Sequence, residues 1–133
     1  MILGQTKDVG FQFGARKTFH VSKEVAWNFL FSNNGLKIWL GEITDELKVG
    51  ETYKTKEGIE IFIRVFHPLS HIRLDWKKKD WNNMSRVQVR VFGNRSKTTI
   101  SFHKEKLLDR GQREEMREYW NKVINKISNR IYE

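Results

Sequence analysis

The segment LDWKKKDWNNM, residues 74–84, places two tryptophans around three lysines. Aromatic rings interleaved with cations are what single-stranded nucleic-acid grooves use, so a binding site is one interpretation. Trp76, however, lies in phase with the apolar residues of the preceding strand, which predicts an inward-pointing ring. Residues 78–83 then form a hairpin loop in which Trp81 is left as a possible exposed ring. Because a stacking groove needs several spaced aromatics, we favour a solvated turn and consider nucleic acid unlikely as a partner.

Four histidines raise the possibility of metal binding or acid–base chemistry. His67 and His71 flank the turn Pro-Leu-Ser, whereas His20 closes the first strand and His103 lies on the last. Metal sites usually need three or four converging ligands, and no acid adjoins the His67–His71 pair. We therefore interpret these as turn histidines and predict no metal and no cofactor. No serine–histidine–acid order, glycine-rich phosphate loop or close carboxylate pair stands out, so no catalytic residue is assigned.

Composition limits the class of protein. The 133 residues predict one domain, and nine Phe, five Trp and three Tyr supply large rings that fill a core or line an apolar pocket. The formal charge of +9 attracts anionic partners, but the lysines are spread along the chain, which favours an ordinary basic surface. The absence of cysteine excludes disulfides and thiolate sites. No segment has the length of a signal peptide or membrane span, so we expect a cytoplasmic protein.

Apolar periodicity predicts the elements that must position these residues. A helix is expected over KEVAWNFLF (residues 23–31) with Ser22 as its N-cap, ended by SNNG and followed by one or two further turns in LKIWLG that close at Gly41. Alternation predicts six strands, with a seventh if ELKV contributes. Within them, residues 59–67 have an ambiguous phase, and we assign the isoleucines inward. The predicted strands cover residues 11–20, 51–58, 59–67, 72–77, 85–92 and 97–104.

The last segment changes to helical spacing. Asp109 is a possible N-cap for a helix of about five turns. Its apolar stripe comprises Met116, Tyr119, Trp120, Val123, Ile124, Ile127 and Ile131. An antiparallel sheet with one apolar face must cover that face, and this helix is the only element long enough to do it. The sequence therefore predicts an α+β fold, in which a curved antiparallel sheet wraps around a long C-terminal helix and leaves a binding space between them.

The order and spacing of six segments carry a family resemblance: EVAWNFL, LKIWLGE, GETY at Gly50, HPLSHIRLDW, KTTISFH and YWNKVINKI. Together they resemble the helix-grip fold of the START-like (SRPBCC) superfamily, and within it the activator of heat-shock-protein-90 ATPase homologue-like family. The resemblance runs from about Phe13 to Ile131. Tyr119 stands where a glycine is common, Val21-Ser22 where Ala-Pro is common, and Trp39 stands alone where a tryptophan pair is frequent. The resemblance implies a cavity for apolar or amphipathic molecules in some members and a chaperone-interacting surface in others.

Two sets of residues are candidates for function. The first is expected to line the space between sheet and helix, with Arg64 or Arg90 as a polar anchor if either turns inward: Trp27, Trp39, Tyr53, Ile63, Trp76, Val89, Phe102, Trp120 and Ile124. The second is a basic outer face of the sheet, diluted by Asp75 and Glu105: Arg73, Lys77, Arg86, Arg90 and Lys97.

These sets lead to three hypotheses. The first is a non-enzymatic protein that holds a small apolar or aromatic ligand in the cavity. The second is an interaction protein whose basic face docks on an acidic chaperone or other acidic protein partner, in a salt-sensitive manner. The third is a cyclase- or hydrolase-type enzyme on the same fold, for which the sequence supplies no catalytic residues.

Overall fold

The computed structural model describes residues 5–6 and 10–132, with side chains described from residue 10 onward. These residues form one sheet and three helices in the predicted order. The elements are β1 (Gln5–Thr6), β2 (Gly10–Phe19), α1 (Lys23–Leu30), α2 (Asn33–Trp39), β3 (Thr52–Lys54), β4 (Glu60–His67), β5 (His71–Lys77), β6 (Ser85–Gly93), β7 (Thr98–Leu107) and α3 (Arg110–Arg130).

All neighbouring strands are antiparallel, in the order β1-β2-β7-β6-β5-β4-β3. Helix α3 lies on one face of this curved sheet and packs against β2 and β7, while α2 packs against α3 and α1 packs against α2, β6 and β7. The predicted helix-grip architecture is confirmed. The short strand β1 was not predicted, and the segment ELKV forms no strand.

The junction of α1 and α2 corrects one prediction. Ser22 caps α1 as expected, because its Oγ accepts a hydrogen bond from Val25 N at 3.1 Å. Ser32 was assigned to the end of that helix, but its Oγ accepts from Gly35 N at 3.0 Å and so begins α2. A Cβ at Gly35 would meet Phe29 O at 1.8 Å, so this tight corner requires glycine. The SNNG segment is therefore a helix start.

A β-bulge explains the ambiguous phase of β4. Ile61 and Ile63 are fully buried on the inner face. The pairing with β5 shifts register between Ile63 and Val65, which adds one residue and reverses the alternation. Phe66 consequently packs against the core from the same strand. Ile61 and Ile63 face inward before the bulge and Phe66 packs inward after it, whereas Phe62 alternates with the isoleucines and contacts Arg64.

Helix α3 is somewhat longer than predicted. Its 21 residues make about six turns, starting at the N-cap Asp109, whose carboxylate accepts from Gln112 N at 2.8 Å. Met116, Trp120, Val123 and Ile127 are buried against the sheet. No helix in the described part of the chain is long and apolar enough to cross a membrane.

The loop between β5 and β6 corrects the prediction for Trp81. This ring is buried and meets Trp76 edge-on, with centroids 5.4 Å apart. The loop is held against α3 by paired amides of Asn83 and Gln112, at 2.8 and 3.0 Å, and by an ion pair of Lys78 with Glu115. Because the loop closes over the end of the core, Trp81 presents no exposed stacking surface.

Candidate ligand site between the sheet and the C-terminal helix

The inner face of the sheet is built by alternation on four adjacent strands. Antiparallel register places the inward residues opposite one another, as in the pairs Leu74–Val87 and Val89–Phe102. The buried members of this face are Ile61, Ile63, Ile72, Leu74, Trp76, Val87, Val89, Val91, Ile100 and Phe102. Helix α3 covers this surface, so any site between sheet and helix has mainly apolar walls.

The expected cavity residues fall into distinct groups. Trp120 stacks on Phe102 with centroids 4.5 Å apart, and the ring of Tyr119 connects Trp120 to Trp76 at centroid distances of 5.2 and 5.9 Å. Ile63 and Val89 belong to the same inner face, and Ile124 is partly buried against it. Side chains fill the region around Trp76 and Trp120, which are each only 1% exposed.

The other three expected residues lie away from that group. Trp27 and Trp39 belong to a second aromatic cluster, joined through Phe31 at centroid distances of 4.4 and 5.8 Å. Tyr53 lies on β3, where its hydroxyl donates to Glu46 O at 2.7 Å and accepts from Lys48 N at 2.8 Å. Its role in the structure is to hold the loop before β3.

Lys104 is the functional candidate that the sequence analysis missed. It continues the inward alternation of Ile100 and Phe102 on β7 and is 1% exposed. Its Nζ lies 3.5 Å from the ring centroid of Trp76 and 6.0 Å from that of Trp81. No hydrogen-bond partner for this nitrogen exists among the described residues. The alternation of buried positions along β7 extends to Lys104 and could have indicated an inward side chain. Lysine, however, is rarely found at buried positions.

Two indole nitrogens resemble the Lys104 amine, since they are buried and have no hydrogen-bond partner among the described residues. They are Nε1 of Trp76 and Nε1 of Trp120. The indole of Trp39 differs, because its Nε1 donates to Leu30 O at 2.8 Å. Buried polar groups are normally hydrogen-bonded, so these three donors mark the polar part of an otherwise apolar space.

Burial sets the protonation of the two titratable groups here. Desolvation lowers the pKa of Lys104 well below its ordinary value of 10.5. Burial also raises the pKa of Tyr119, with a smaller contribution from Glu57, so its hydroxyl remains protonated. That hydroxyl donates to Trp39 O at 3.0 Å, and the Tyr119 ring contacts Trp76 and Trp120 at centroid distances of 5.9 and 5.2 Å. Tyr119 thus links the two aromatic clusters.

An open cleft of about 360 Å³ lies beside the second cluster. Its apolar walls include Phe31 and Phe66, and its rim carries Asp45 and Glu46. Phe31 contacts Trp39 edge-on, and Trp39 accepts the bond from Tyr119. Ring contacts therefore run from this surface cleft to Trp39, and the hydrogen bond from Tyr119 to the backbone oxygen of Trp39 connects them to Trp76 beside Lys104.

Neither arginine considered as an anchor lies in this space. Arg64 pairs with Asp75 on the outer face, at 2.7 Å from Nη2 to Oδ2, and Arg86 donates to Oδ1 of the same carboxylate at 3.1 Å. Burial would raise the pKa of Asp75, but the hydrogen bonds from Arg64 and Arg86 outweigh it and hold that pKa below its usual value. Arg90 alternates with the inward valines of β6 and is partly exposed.

The expected basic face is only partly continuous. Arg73, Lys77, Arg86 and Arg90 lie on the outer side of β5 and β6, and Lys97 lies in the turn before β7. Lys77 is 3.8 Å from Glu60, and Arg73 donates to Gln88 Oε1 at 2.7 Å. Arg73 and Arg90 have no carboxylate partner in the described ranges.

The histidines form no obvious metal site. His67 and His71 face each other across the β4–β5 turn with ring centroids 5.0 Å apart, and Ser70 Oγ lies 2.8 Å from Nδ1 of His71. Burial, then the nearby Arg90 and other positive groups, lowers the pKa of His71. Among residues 10–132, no three metal-binding side chains of the His, Cys, Asp or Glu types converge.

Comparisons with known proteins agree with this architecture. The open sheet gripping a long helix is that of START-like proteins, and the structure of CalU16 from Micromonospora echinospora superposes with a TM-score of 0.75 at 14% identity, covering 86% of this chain and 70% of that one. The sequence model for activator of Hsp90 ATPase homolog 1-like protein matches residues 20–131. The chain belongs to this family.

Two further structures illustrate the range of similar proteins. An HSP90 activator from Plasmodium falciparum has a TM-score of 0.75 at 21% identity, with 87% of this chain and 92% of that chain covered. DynU16, a putative protein in the dynemicin biosynthetic locus, has a TM-score of 0.73 at 12% identity. The superposition covers 87% of this chain but only 46% of DynU16. At these identities the likeness shows the fold alone. No curated protein sequence matches the chain.

Proposed function

We propose that this protein binds a small apolar or aromatic molecule between the sheet and α3 and catalyses no reaction on it. The observation that carries the proposal is the group of three buried N–H donors without acceptors, on Trp76, Lys104 and Trp120. Ligand sites in proteins combine predominantly apolar walls with a few polar groups that orient the ligand. This space has that composition.

The energetics support a site over a purely structural core. Burying an unpaired amine or indole N–H costs free energy, and an apolar residue of similar volume would avoid that cost at Lys104. The three donors come from β5, β7 and α3, and the amine of Lys104 lies against the ring of Trp76. A ligand that bonds to them would recover part of the desolvation cost on binding.

The surface cleft supplies the route of entry in this proposal. The cleft at Phe31 and Phe66 is open, and the contacts through Trp39 and Tyr119 lead from it to the donors. Since Tyr119 and the tryptophans fill the inner space, entry requires these rings to change rotamer. Ligand binding should therefore alter the fluorescence of the buried tryptophans.

The test is a titration with two neutral probes, 2-naphthylmethanol and 1-dodecanol, followed by tryptophan fluorescence. We expect saturable binding of at least one probe to the wild-type protein. Trp120→Phe retains an aromatic ring in a smaller side chain and should weaken that binding several-fold. Trp27→Phe is the matched control, because Trp27 lies in the other cluster, and should leave affinity nearly unchanged. Equal loss in both variants would contradict the placement of the site, and failure of these probes and of the corresponding acids, 2-naphthoic and dodecanoic acid, to bind would contradict the proposed function.

A second candidate function rests on the outer face. Arg73 and Arg90 lack carboxylate partners there, which leaves two cations able to contact an acidic protein such as a chaperone. The double reversal Arg73→Glu/Arg90→Glu should abolish salt-sensitive binding to an acidic partner such as Hsp90. Lys126→Glu/Arg130→Glu on α3 makes the same change in charge elsewhere and should not. Partner binding that survives the first pair would eliminate this face as the interface.

A further inference from the structure

We infer that the ligand of this site carries a carboxylate head group that lies against Lys104 and accepts hydrogen bonds from its amine. This inference rests on the proposed function and adds to it the chemical class of the ligand. It stands on three observations: the direction of the lysine side chain, the number of unpaired donors around it, and the lack of any protein carboxylate that reaches it.

The Lys104 side chain points away from water. Lysines near a surface usually bury the aliphatic stem and extend the amine to solvent. Here the amine is fully buried, and the backbone of Lys104 is flanked by Val87 on β6 and Phe13 on β2. Nζ lies 3.5 Å from the ring centroid of Trp76 and 6.0 Å from that of Trp81, so aromatic rings enclose the amine beneath the β5–β6 loop. A cation formed there would be stabilised by the indole ring.

The donors outnumber the acceptors around this amine. Nζ carries up to three N–H groups, and the neighbouring indole of Trp76 adds one, none of them paired within the described chain. An ionised carboxylate offers about four acceptor positions on two oxygens and donates nothing. A cationic head group would add donors, and an alcohol would offer one oxygen, so the carboxylate best matches what the protein presents.

The described residues supply no countercharge to this amine. Each salt bridge of the described residues involves other cations, and burial rather than a neighbouring charge lowers the pKa of Lys104. The groups that face the amine are the rings of Trp76 on β5 and of Trp81 in the following loop, neither of which ionises. Burial therefore favours the uncharged form of the amine in the free protein. A bound carboxylate would favour its protonation, so binding should take up protons from the buffer.

The experiment compares two acid–alcohol pairs with matched skeletons: 2-naphthoic acid with 2-naphthylmethanol, and dodecanoic acid with 1-dodecanol. Isothermal titration calorimetry at pH 7, in two buffers of different ionisation enthalpy, measures affinity and proton uptake together. Wild-type protein should bind the acid of at least one pair about tenfold more tightly than its alcohol, which corresponds to one charge-assisted hydrogen bond. Proton uptake should accompany the acid and be absent for the alcohol.

The Lys104→Met variant removes the amine while keeping an unbranched apolar side chain. It should lose both the preference for the acid and the proton uptake, so that the two members of each pair bind with similar affinity. Lys104→Arg, which keeps a permanent charge, should retain a preference for the acid without proton uptake. Equal affinities of acid and alcohol in the wild type would overturn the carboxylate assignment and leave the proposed site intact. Failure of all four probes to bind would instead overturn the proposed function.

Discussion

Asp75 and Lys104 are both buried residues of charged type on the same sheet, yet their surroundings are opposite. Asp75 lies on the outer face and receives hydrogen bonds from Arg64 and Arg86, so its charge is matched within the protein. Lys104 lies on the inner face, and its amine has no partner in the described chain. Asp75 thus contributes to the stability of the fold, whereas the amine of Lys104 is the group that the proposed ligand would contact.

The tryptophans repeat this contrast within the core. The indole of Trp39 donates to Leu30 O, which fixes α2 against α1. The indoles of Trp76 and Trp120 are equally buried but unpaired, and they lie with Lys104 between sheet and helix. The indole of Trp39 is therefore hydrogen-bonded within its cluster, whereas the N–H groups of Trp76, Lys104 and Trp120 have no partner in the described chain.

The largest effect is expected from Trp120→Ala, which removes the helix side of the inner space. The substitution leaves a large cavity beside Phe102 and should lower the free energy of unfolding by about 3–5 kcal/mol. Urea denaturation measures this loss. A loss below about 1 kcal/mol would show that Trp120 is not packed between helix and sheet as described. Any folded fraction should also bind the neutral probes more weakly than the wild type.

The next effect concerns the outer face. Asp75→Asn removes the charge that both arginines contact, and we expect a loss of about 2 kcal/mol at pH 7. Because the pKa of Asp75 is lowered on folding, its stabilisation is complete above the ordinary value of 3.8 and is lost as pH falls through the lower folded value. The wild-type and variant stabilities should therefore converge below about pH 4. Unaltered binding of acid probes in this variant is the control for the inner site.

Lys104→Met should change stability in the opposite direction. Replacing an unpaired buried amine by a thioether is expected to raise the free energy of unfolding by about 1–2 kcal/mol at pH 7. The folded pKa is lowered, so the unfolded chain binds more protons between that value and 10.5, and wild-type stability rises with pH in this interval. The advantage of the variant should shrink from pH 7 towards pH 10. An advantage independent of pH would mean that Lys104 titrates alike in both states.

The smallest effect is expected at the exposed part of the outer face. Arg73→Gln removes the hydrogen bonds to Gln88, at 2.7 and 3.2 Å, which compete with water. The change in the free energy of unfolding should stay below about 0.5 kcal/mol. Thermal unfolding at two salt concentrations measures it. A loss comparable with that of Asp75→Asn would show that the outer cluster extends further than its buried carboxylate.

Most helices and strands could be predicted from the spacing of apolar residues. In a strand with an apolar residue at every second position, only one face can pack against the core. This is why Ile72, Leu74 and Trp76 were placed correctly, and why the stripe of α3 was recognised. Two local features escaped the pattern. The bulge after Ile63 reverses the alternation, and Ser32 resembles the end of one helix although it caps the next.

The candidate site was less predictable than the fold. Lys104 satisfies the same alternation as Phe102, but its charge argues for the surface, and only the packed structure shows that the strand period prevails. Trp81 was expected to be exposed because it follows a run of lysines, whereas contacts between the loop and α3 bury it. Such outcomes depend on contacts between segments far apart in sequence, which single-segment patterns do not contain.

The most direct test of the central claim is native mass spectrometry of the wild type, Lys104→Met and Asp75→Asn, each with 2-naphthoic acid and with dodecanoic acid. We predict a non-covalent complex with at least one acid in the wild type and in Asp75→Asn, and a markedly smaller bound fraction in Lys104→Met. Denaturing conditions should return the mass of the chain alone. Equal complex formation by Lys104→Met, or none by the wild type, would contradict the assignment of the inner space as an acid-binding site.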